Sequence, residues 1–178
     1  QVPTKVNAQG FETGDALGLY AVNYEDGNLT PGTLLAEGNQ ADHVKYIFDY
    51  DKWQWTPVRK VYYKDINTNV DLYVFYPYAE PASVEAYNFE VQKDQSSAET
   101  VGKLAGYEAS DFLWAKTAKV TPTASKVILT FRHALSSARV RFTQGSGWTD
   151  AAEYAAATKE VLVNSTIRKS TIDLSTGL

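Results

Sequence analysis

The chain has two histidines, His43 and His133, and the second of them lies close to a serine in sequence. Ser136 follows His133 by three residues, and nucleophilic catalysis requires a hydroxyl beside a base. The sequence contains no G-x-S-x-G turn, however, and Ser136 falls in what reads as a hairpin connection. We therefore interpret His133 as a structural residue that closes a turn.

Residues 65–71 carry oxygen-bearing side chains in the pattern of the first half of a calcium-binding loop. Asp65 and the two asparagines that follow it at alternate positions would suit a hard cation. Val70 stands where such a loop needs glycine, and Tyr76 stands where it needs glutamate. The pattern therefore indicates a polar turn that enters a strand, and we predict no metal or cofactor site.

Three aspartates, Asp49, Asp51 and Asp65, are candidates for the acid and base of a glycoside hydrolase. Asp49 and Asp51 are two residues apart and would share the solvent face of a strand. With 21 acidic residues in the chain, such proximity is expected without catalysis. No segment supplies a nucleophile, a base and an orienting group together, so we predict that the chain is not an enzyme and has no catalytic residues.

Trp53 and Trp55 form the candidate ligand-binding pair of the chain. Residues two apart lie on the same face of a strand, and exposed aromatic faces bind ligands such as sugars. Alternatively, both rings anchor the core beneath the following loop. Both interpretations remain open from the residues alone.

Composition limits the classes of function. The chain has 178 residues, which suits one sizeable domain, and its net charge is −4. Arg139 and Arg141 form only a short basic stripe, which reads as a solvated strand edge, so no nucleic-acid partner is expected. Cysteine is absent, which excludes thiol nucleophiles, thiolate zinc sites and disulfides. No apolar run approaches the ~20 residues that span a bilayer.

The two ends of the chain carry signs of processing. Methionine is absent and the first residue is Gln1, so we expect a processed or trimmed product, in which removal of a signal peptide would leave no trace. At the other end, a predicted strand is followed by Gly177 and then by Leu178. A turn normally leads into a following element, and none is present here, so we expect the natural polypeptide to continue beyond Leu178.

Alternation of apolar and polar residues with a period of two dominates the chain and predicts about nine or ten strands in a sandwich or barrel. Both faces of residues 70–76 are apolar or aromatic, which predicts a central strand that is covered on both sides. The longer predicted strands are residues 16–24, 44–51, 70–76, 126–131 and 138–142. The shorter ones are residues 58–63, 87–91, 112–116, 160–164 and 171–174.

One helix is predicted after Asp150, which can cap it, with Glu153 at the spacing of a capping box. Residues 94–110 are polar and contain glycine, which predicts a long exposed loop. No repeat or linker interrupts the pattern, so residues 1–178 are predicted to form a single β-sandwich domain.

Seven segments together resemble the fimbrillin family of Bacteroidales surface proteins, in its Mfa-like branch. Their order and spacing agree along almost the whole chain, although each segment alone is weak. The segments are residues 11–21, 55–57, 70–78, 94–96, 110–115, 129–136 and 172–177.

The resemblance implies a transthyretin-like Greek-key β-sandwich, here with one short helix, in a chain that lacks catalytic residues. It also implies secretion, lipid modification, and display on the outer membrane or in fimbriae at the cell surface. Such subunits polymerise when a segment of a neighbour fills a groove left by a missing strand. Family members usually have a second sandwich and a lipidated N-terminal cysteine, so this chain is expected to be the N-terminal domain of a longer protein that has lost its lipid anchor.

The leading hypothesis is therefore a structural or adhesive subunit of a pilus-like fimbrium, as stalk, tip or anchor component. Its partners would be other fimbrial subunits by strand exchange, together with a host or bacterial surface receptor, and it would meet a membrane only through the lost anchor. The alternative hypothesis is a surface carbohydrate- or host-protein-binding module that uses Trp53 and Trp55.

Overall fold

The computed structural model describes residues 10–101, 103–138, 140–159, 161 and 166–178. Their contacts divide the chain into two units. The first unit contains the described residues up to Leu135 together with Arg168–Leu178, and the second is Ser136–Ile167. Both β-sheets belong to the first unit and the α-helix belongs to the second. The prediction of a single domain over residues 1–178 remains a prediction.

Nine strands occur in the described residues, and seven of them form one antiparallel sheet, called the main sheet below. Its order is β4-β3-β1-β5-β7-β8, with β2 paired to the end of β1. The remaining two strands, β6 and β9, form a second antiparallel sheet. The strands are β1 (Ala16–Glu25), β2 (Thr30–Pro31), β3 (Ala41–Asp49), β4 (Gln54–Pro57), β5 (Val70–Tyr76), β6 (Tyr87–Glu90), β7 (Leu113–Val120), β8 (Arg132–His133) and β9 (Lys169–Ile172).

The second sheet packs on one face of the main sheet, called the inner face. Alternate residues of the main-sheet strands, such as Tyr20 and Phe75, point to this side and meet Phe89 of β6 and Ile172 of β9 in one buried cluster. Burial of aromatic side chains of this size is the main source of stability for such a sandwich. This packing confirms the predicted all-β sandwich.

The opposite, outer face of the main sheet is also largely apolar. Its buried cluster includes Leu17, Leu19, Val74, Tyr76 and Leu113. Strand β5 therefore has buried residues on both faces, which confirms that residues 70–76 form a central covered strand. The cover of the outer face comes from segments outside the strands, including Phe11, Val61 and Leu129.

Asp71 is a charged residue within the central strand, with only 1% of its surface exposed. Its carboxylate forms an ion pair with Lys116 Nζ at 3.1 Å and accepts a 2.8 Å hydrogen bond from the backbone N–H of Lys119. Lys119 has φ 54°, and the β5–β7 register shifts next to Asp71. A buried carboxylate needs such partners, and here they also hold a β-bulge in place.

Most of the predicted strands are confirmed. The predictions for residues 16–24 and 70–76 match β1 and β5 within one residue, and β3 begins three residues before the predicted position 44 and ends at Asp49. Strands β6, β7 and β9 overlap the shorter predictions. The predicted loop at residues 94–110 is mostly exposed, but it ends in a 3-10 turn whose Ser110 is buried.

Two predictions were wrong in position. The strand predicted at residues 58–63 is replaced by β4, which pairs with β3 directly after a turn and ends at Pro57, a residue that has no N–H for the ladder. Residues 126–131 alternate between half-buried and exposed as predicted, but regular pairing with β7 begins only at Arg132. A pattern of period two specifies which side chains face the core and does not by itself provide a pairing partner.

The second unit contains helix α1 (Ala151–Ala156). Asp150 caps it as predicted, because its Oδ1 accepts a 2.7 Å hydrogen bond from the Glu153 N–H. The Glu153 carboxylate accepts from the N–H of Thr149 at 3.2 Å, one residue before the expected position. The strand predicted at residues 138–142 is absent from the described part of that segment, and the one at 160–164 lies almost entirely outside the described residues.

Candidate functional site

The outer face of the main sheet carries a groove of about 440 Å³. Its floor is formed by Leu17, Leu19 and Ala21 of β1 and by Val70 and Leu72 of β5. These residues share the face because side chains two apart in a strand point the same way. The volume lies within the range of binding sites for small ligands.

Two stretches of chain form the long walls of this groove, and apart from Gln54 and Trp55 of β4 they lie outside the strands. One wall runs from Trp53 to Trp55 and continues through residues 61–63, and the other consists of Lys126, Val127 and Leu129. Within the described part of the chain, neither residues 61–63 nor residues 126–129 belong to a strand. The covering layer above the floor therefore has a slot between its two walls.

Phe11 lies beside one end of the groove. Its ring centroid is 4.9 Å from that of Trp55 in one wall and 5.9 Å from that of Phe131, which continues the other wall. It also contacts Phe48 at 6.0 Å and Tyr76 at 5.7 Å on the sheet below. Edge-to-face contacts of this kind stabilise a cluster beyond simple area burial.

The segment that carries Phe11 is fastened to the main sheet by backbone and side-chain bonds. Gly14 N–H donates to Phe48 O at 3.0 Å, and Phe48 N–H donates to Asp15 O at 2.8 Å. The Asp15 carboxylate accepts from the Tyr76 hydroxyl at 2.9 Å and from the Glu12 N–H at 2.7 Å. Burial raises the pKa of Asp15, and burial together with this carboxylate raises the pKa of Tyr76.

The structure places Trp53 and Trp55 on the same wall of the groove but in different environments. Trp55 is half-buried against Phe11 and Phe48. Trp53 is 64% exposed and touches Phe48 and Tyr50 only edge-on, at 5.4 Å each. It also has φ 50°, a left-handed conformation that is unfavourable for a bulky side chain. Of these two rings, Trp53 therefore offers the larger aromatic surface to solvent.

His133 lies in β8 and forms a 2.7 Å bond between its Nδ1 and Asp111 Oδ1. Ser136, its sequence neighbour in the rejected catalytic pair, belongs to the second unit. The bond joins β8 to the residue just before Phe112 and β7, and so it ties the edge strand to the sheet. This geometry agrees with a structural role for His133.

Trp114 contacts residues of two other segments that carry the fimbrillin resemblance, 129–136 and 172–177. The guanidinium of Arg132 lies 4.4 Å from its ring, and its indole N–H donates a 2.7 Å hydrogen bond to Leu174 O. Gly177 has φ 72°, and a Cβ at this position would lie 2.5 Å from the Trp114 ring. The turn near Leu178 therefore folds onto Trp114, a partner that the sequence did not reveal.

Of the candidate carboxylates, Asp49 and Asp51 lie at the β3–β4 turn, whereas Asp65 lies in a separate turn before β5. Asp49 ends β3 and pairs with Lys52 at 2.6 Å, whereas Asp65 accepts hydrogen bonds from the N–H groups of Asn67 and Thr68 at 2.7 and 2.6 Å. A 2.7 Å hydrogen bond from the Thr68 hydroxyl, together with these two N–H groups, lowers the pKa of Asp65 and forms the predicted polar turn. In the part of the chain that is described, no group of three or more His, Asp or Glu side chains is arranged to hold a metal ion.

His43 stacks on two aromatic rings and bonds a carboxylate, and the sequence analysis did not predict these contacts. Its ring stacks between those of Phe75 at 5.5 Å and Tyr78 at 4.6 Å, and its Nδ1 lies 3.0 Å from Glu80 Oε2. Its Nε2 is buried without a hydrogen-bond partner among the described residues, and a Cβ on Gly18 would lie 2.7 Å from it. Burial lowers the pKa of His43, although Glu80 opposes this shift.

The fold and the groove define the chain as an all-β sandwich with an apolar slot on one face. A family model described as fimbrillin-like matches residues 4–178, and the chain belongs to the fimbrillin-like family. Membership indicates a structural, fimbrial protein at the cell surface. Searches of curated proteins and of solved structures return no significant match. Among the described helices, none is long and apolar enough to cross a bilayer.

Proposed function

We propose that this chain is a subunit of cell-surface fimbriae that assembles by strand donation, with the groove on the outer face as the acceptor. The observation that carries this proposal is the slot above Leu19, Ala21 and Leu72. Its floor is a hydrogen-bonded sheet, and it is bounded by residues 53–55 and 61–63 on one side and by residues 126–129 on the other. An extended segment of a neighbouring subunit is the occupant that fits this shape.

The chemistry of the slot supports an extended chain as its occupant. The floor residues alternate along β1, so a strand with apolar residues at alternate positions would place one side chain over each of them. Full burial of each such side chain contributes about 1.5–3 kcal/mol. Backbone bonds to the wall segments would add the usual affinity of β-augmentation.

The β4 edge of the main sheet is less suited to accept a neighbour. Strand β4 has four residues and ends at Pro57. Short edges and proline are features that proteins use to prevent edge-to-edge pairing. At the other edge, β8 pairs with β7 only at Leu113 and Trp114, and the rest of β7 has no ladder partner on this side among the described residues. One wall of the groove lies beside this stretch, since Ile128 O accepts a 3.2 Å hydrogen bond from the Thr117 hydroxyl. Subunit contacts through the outer-face groove are therefore favoured over sheet extension at β4.

The finer features of the proposal rest on the resemblance and on family membership. They are secretion and lipid modification of a longer two-domain precursor, anchoring in the outer membrane, and an origin in Bacteroidales. They also include the lack of catalysis and contact with a host or bacterial receptor. The gene product that contains these residues provides the test, because it must encode a signal peptide, a lipidation cysteine and a second sandwich.

The test of assembly uses a charge in the floor of the groove. Leu72→Lys places an ammonium group beneath any donated strand, and Ile66→Lys makes the same kind of change at a side chain that is 85% exposed. In the fimbrial system, filaments observed by electron microscopy should be lost with Leu72→Lys and kept with Ile66→Lys, while both proteins keep their β-sheet circular dichroism. Normal filaments from folded Leu72→Lys protein would reject the groove as acceptor.

A second candidate function is glycan binding at Trp53. The exposed ring and its left-handed backbone favour it, because such conformations cost of order 1–3 kcal/mol and are often kept at functional sites. Trp53→Ala should abolish binding on a glycan array, while Trp148→Ala, a change at a less exposed ring in the second unit, should not. An array without signal for the wild-type protein removes this candidate.

A further inference from the structure

We infer that Phe11 is the end wall of the groove and thereby fixes how far a donated strand can run along the main sheet. This inference rests on the proposed function, since it concerns the same groove. It assigns to the segment before β1 a role in setting the register of the subunit contact.

Phe11 spans the two walls at one end of the slot. Its ring contacts Trp55 at 4.9 Å on one side and Phe131 at 5.9 Å on the other. Trp55 itself lines the groove, whereas Phe11 and Phe131 lie beyond the lining. A strand that runs along the floor toward this end therefore meets the Phe11 ring directly after it passes Trp55.

On β5 the floor of the groove stops before the residues that Phe11 covers. The lining residues on this strand are Val70 and Leu72, and the next two residues on the same face, Val74 and Tyr76, are not part of the lining. On β1, by contrast, the lining reaches Leu17. The Phe11 ring lies 5.7 Å from that of Tyr76 and takes part in covering this stretch of the sheet. The apolar face of β5 thus continues past the groove, but it is covered there.

The end wall is held by bonds that do not depend on an occupant. Backbone bonds between Phe48 and the pair Gly14 and Asp15 continue the pairing of β1 with β3 toward the start of the chain. The buried hydrogen bond from Tyr76 to the Asp15 carboxylate then fixes the turn that carries Phe11. The ring is therefore in place before a strand arrives, as a register stop must be.

Strand geometry gives the length by which the groove would grow without the Phe11 ring. A strand rises about 3.3 Å per residue, and the rings of Phe11 and Trp55 are 4.9 Å apart. Removal of the Phe11 ring should therefore lengthen the usable groove by about two residues. One of these two residues would point its side chain into the vacated space, because neighbours in a strand alternate.

The test measures groove length with synthetic peptides of alternating valine and threonine, about four to about ten residues long. Affinity for the wild-type chain should rise with peptide length and then level off, and in Phe11→Ala it should level off about two residues later. The longest peptides should bind Phe11→Ala about tenfold more tightly than wild type, since one more apolar side chain is buried. The same length limit in both proteins would overturn the inference.

A second measurement separates this inference from the proposed function. Phe11→Ala should increase the fluorescence of the apolar dye 8-anilinonaphthalene-1-sulfonate, because the groove opens toward Tyr76, whereas Phe89→Ala removes the same ring on the inner face and should not open the groove. If no peptide binds the wild-type chain but the dye signal rises in Phe11→Ala, the groove is closed by Phe11 but does not accept a strand. The inference is then supported and the proposed function is rejected. If folded Phe11→Ala gives no extra dye signal, the end wall is rejected. Phe11→Leu provides a milder variant, for which we expect a smaller change in the peptide length limit and in the dye fluorescence.

Discussion

The carboxylate of Asp15 accepts a 2.9 Å hydrogen bond from the hydroxyl of Tyr76, which lies 61 residues further along the chain. Both groups are buried, and the bond joins the turn that carries Phe11 to the central strand of the main sheet. One polar contact thus connects the segment before β1 to the face that bears the groove.

Loss of the Tyr76 hydroxyl should leave Asp15 Oδ1 without this donor. Tyr76→Phe keeps the ring that Phe11 contacts, so the change isolates the hydrogen bond. We expect the free energy of unfolding, measured by urea denaturation, to fall by about 1–3 kcal/mol. An unchanged urea midpoint would show that water replaces the hydroxyl without cost.

The raised pKa of Asp15 should appear in the pH dependence of stability. A carboxyl whose pKa is higher in the folded state contributes stability that is present below its ordinary value of 3.8 and is lost as pH rises through the folded value. Relative to Asp15→Asn, the wild-type chain should therefore lose stability as pH rises above about 4. Urea denaturation across this range provides the measurement, and parallel curves for the two proteins would contradict it.

His43 should make the fold less stable at low pH, whereas Asp15 should make it less stable as pH rises. Its pKa is lowered by burial, so its contribution is present above its ordinary value of 6.5 and is lost as pH falls through the folded value. His43→Phe keeps a flat ring between Phe75 and Tyr78 but cannot titrate. Thermal denaturation should show a loss of stability below about pH 6.5 for wild type that His43→Phe lacks. Equal acid sensitivity in both would exclude His43 as its source.

Gly177 should be intolerant of any side chain. Alanine at this position would combine φ 72° with a Cβ 2.5 Å from the Trp114 ring. Gly177→Ala should lower the free energy of unfolding by at least about 1–3 kcal/mol. Gly147→Ala, where the new Cβ would meet nothing within 4 Å, should change it by less than about 0.5 kcal/mol. Similar urea midpoints for the two variants would reject the close approach at Trp114.

Lys116→Met should leave the buried carboxylate of Asp71 without its cation. The backbone N–H of Lys119 remains as a partner, and Lys116 is about one-third exposed, so water can replace part of the lost interaction. We expect a loss of about 2 kcal/mol, which is below the range for fully buried pairs. The double variant Asp71→Leu with Lys116→Met should recover part of this loss, and a purely additive result would argue against coupling.

Local pattern was enough to predict the strands whose pairing partners are also well patterned. Residues 16–24 and 70–76 alternate or are apolar on both faces, and they pair with each other in the centre of the main sheet. The cap at Asp150 was predictable for a similar reason, because a capping interaction spans only three residues. The ordered segments of the fimbrillin resemblance were likewise visible without coordinates, and the family match confirms them.

The groove and its end wall could not be predicted, because they depend on segments that are distant in sequence. Phe11 looked like one residue of a family motif, and only the fold brings it beside Trp55, Tyr76 and Phe131. The pair Trp53 and Trp55 was recognised, but spacing alone could not say which ring is half-buried and which is exposed.

The amino-acid sequence by itself determined the all-β class, the central strand and the family, because these follow from side-chain periodicity and from the order of short motifs. The tertiary structure decided where the cover of the outer face is interrupted by the groove. Residues 126–131 have the alternation of a strand but form no regular ladder with β7. Periodicity specifies the face on which a side chain lies, whereas backbone pairing and cavities require that two remote segments meet at the right distance.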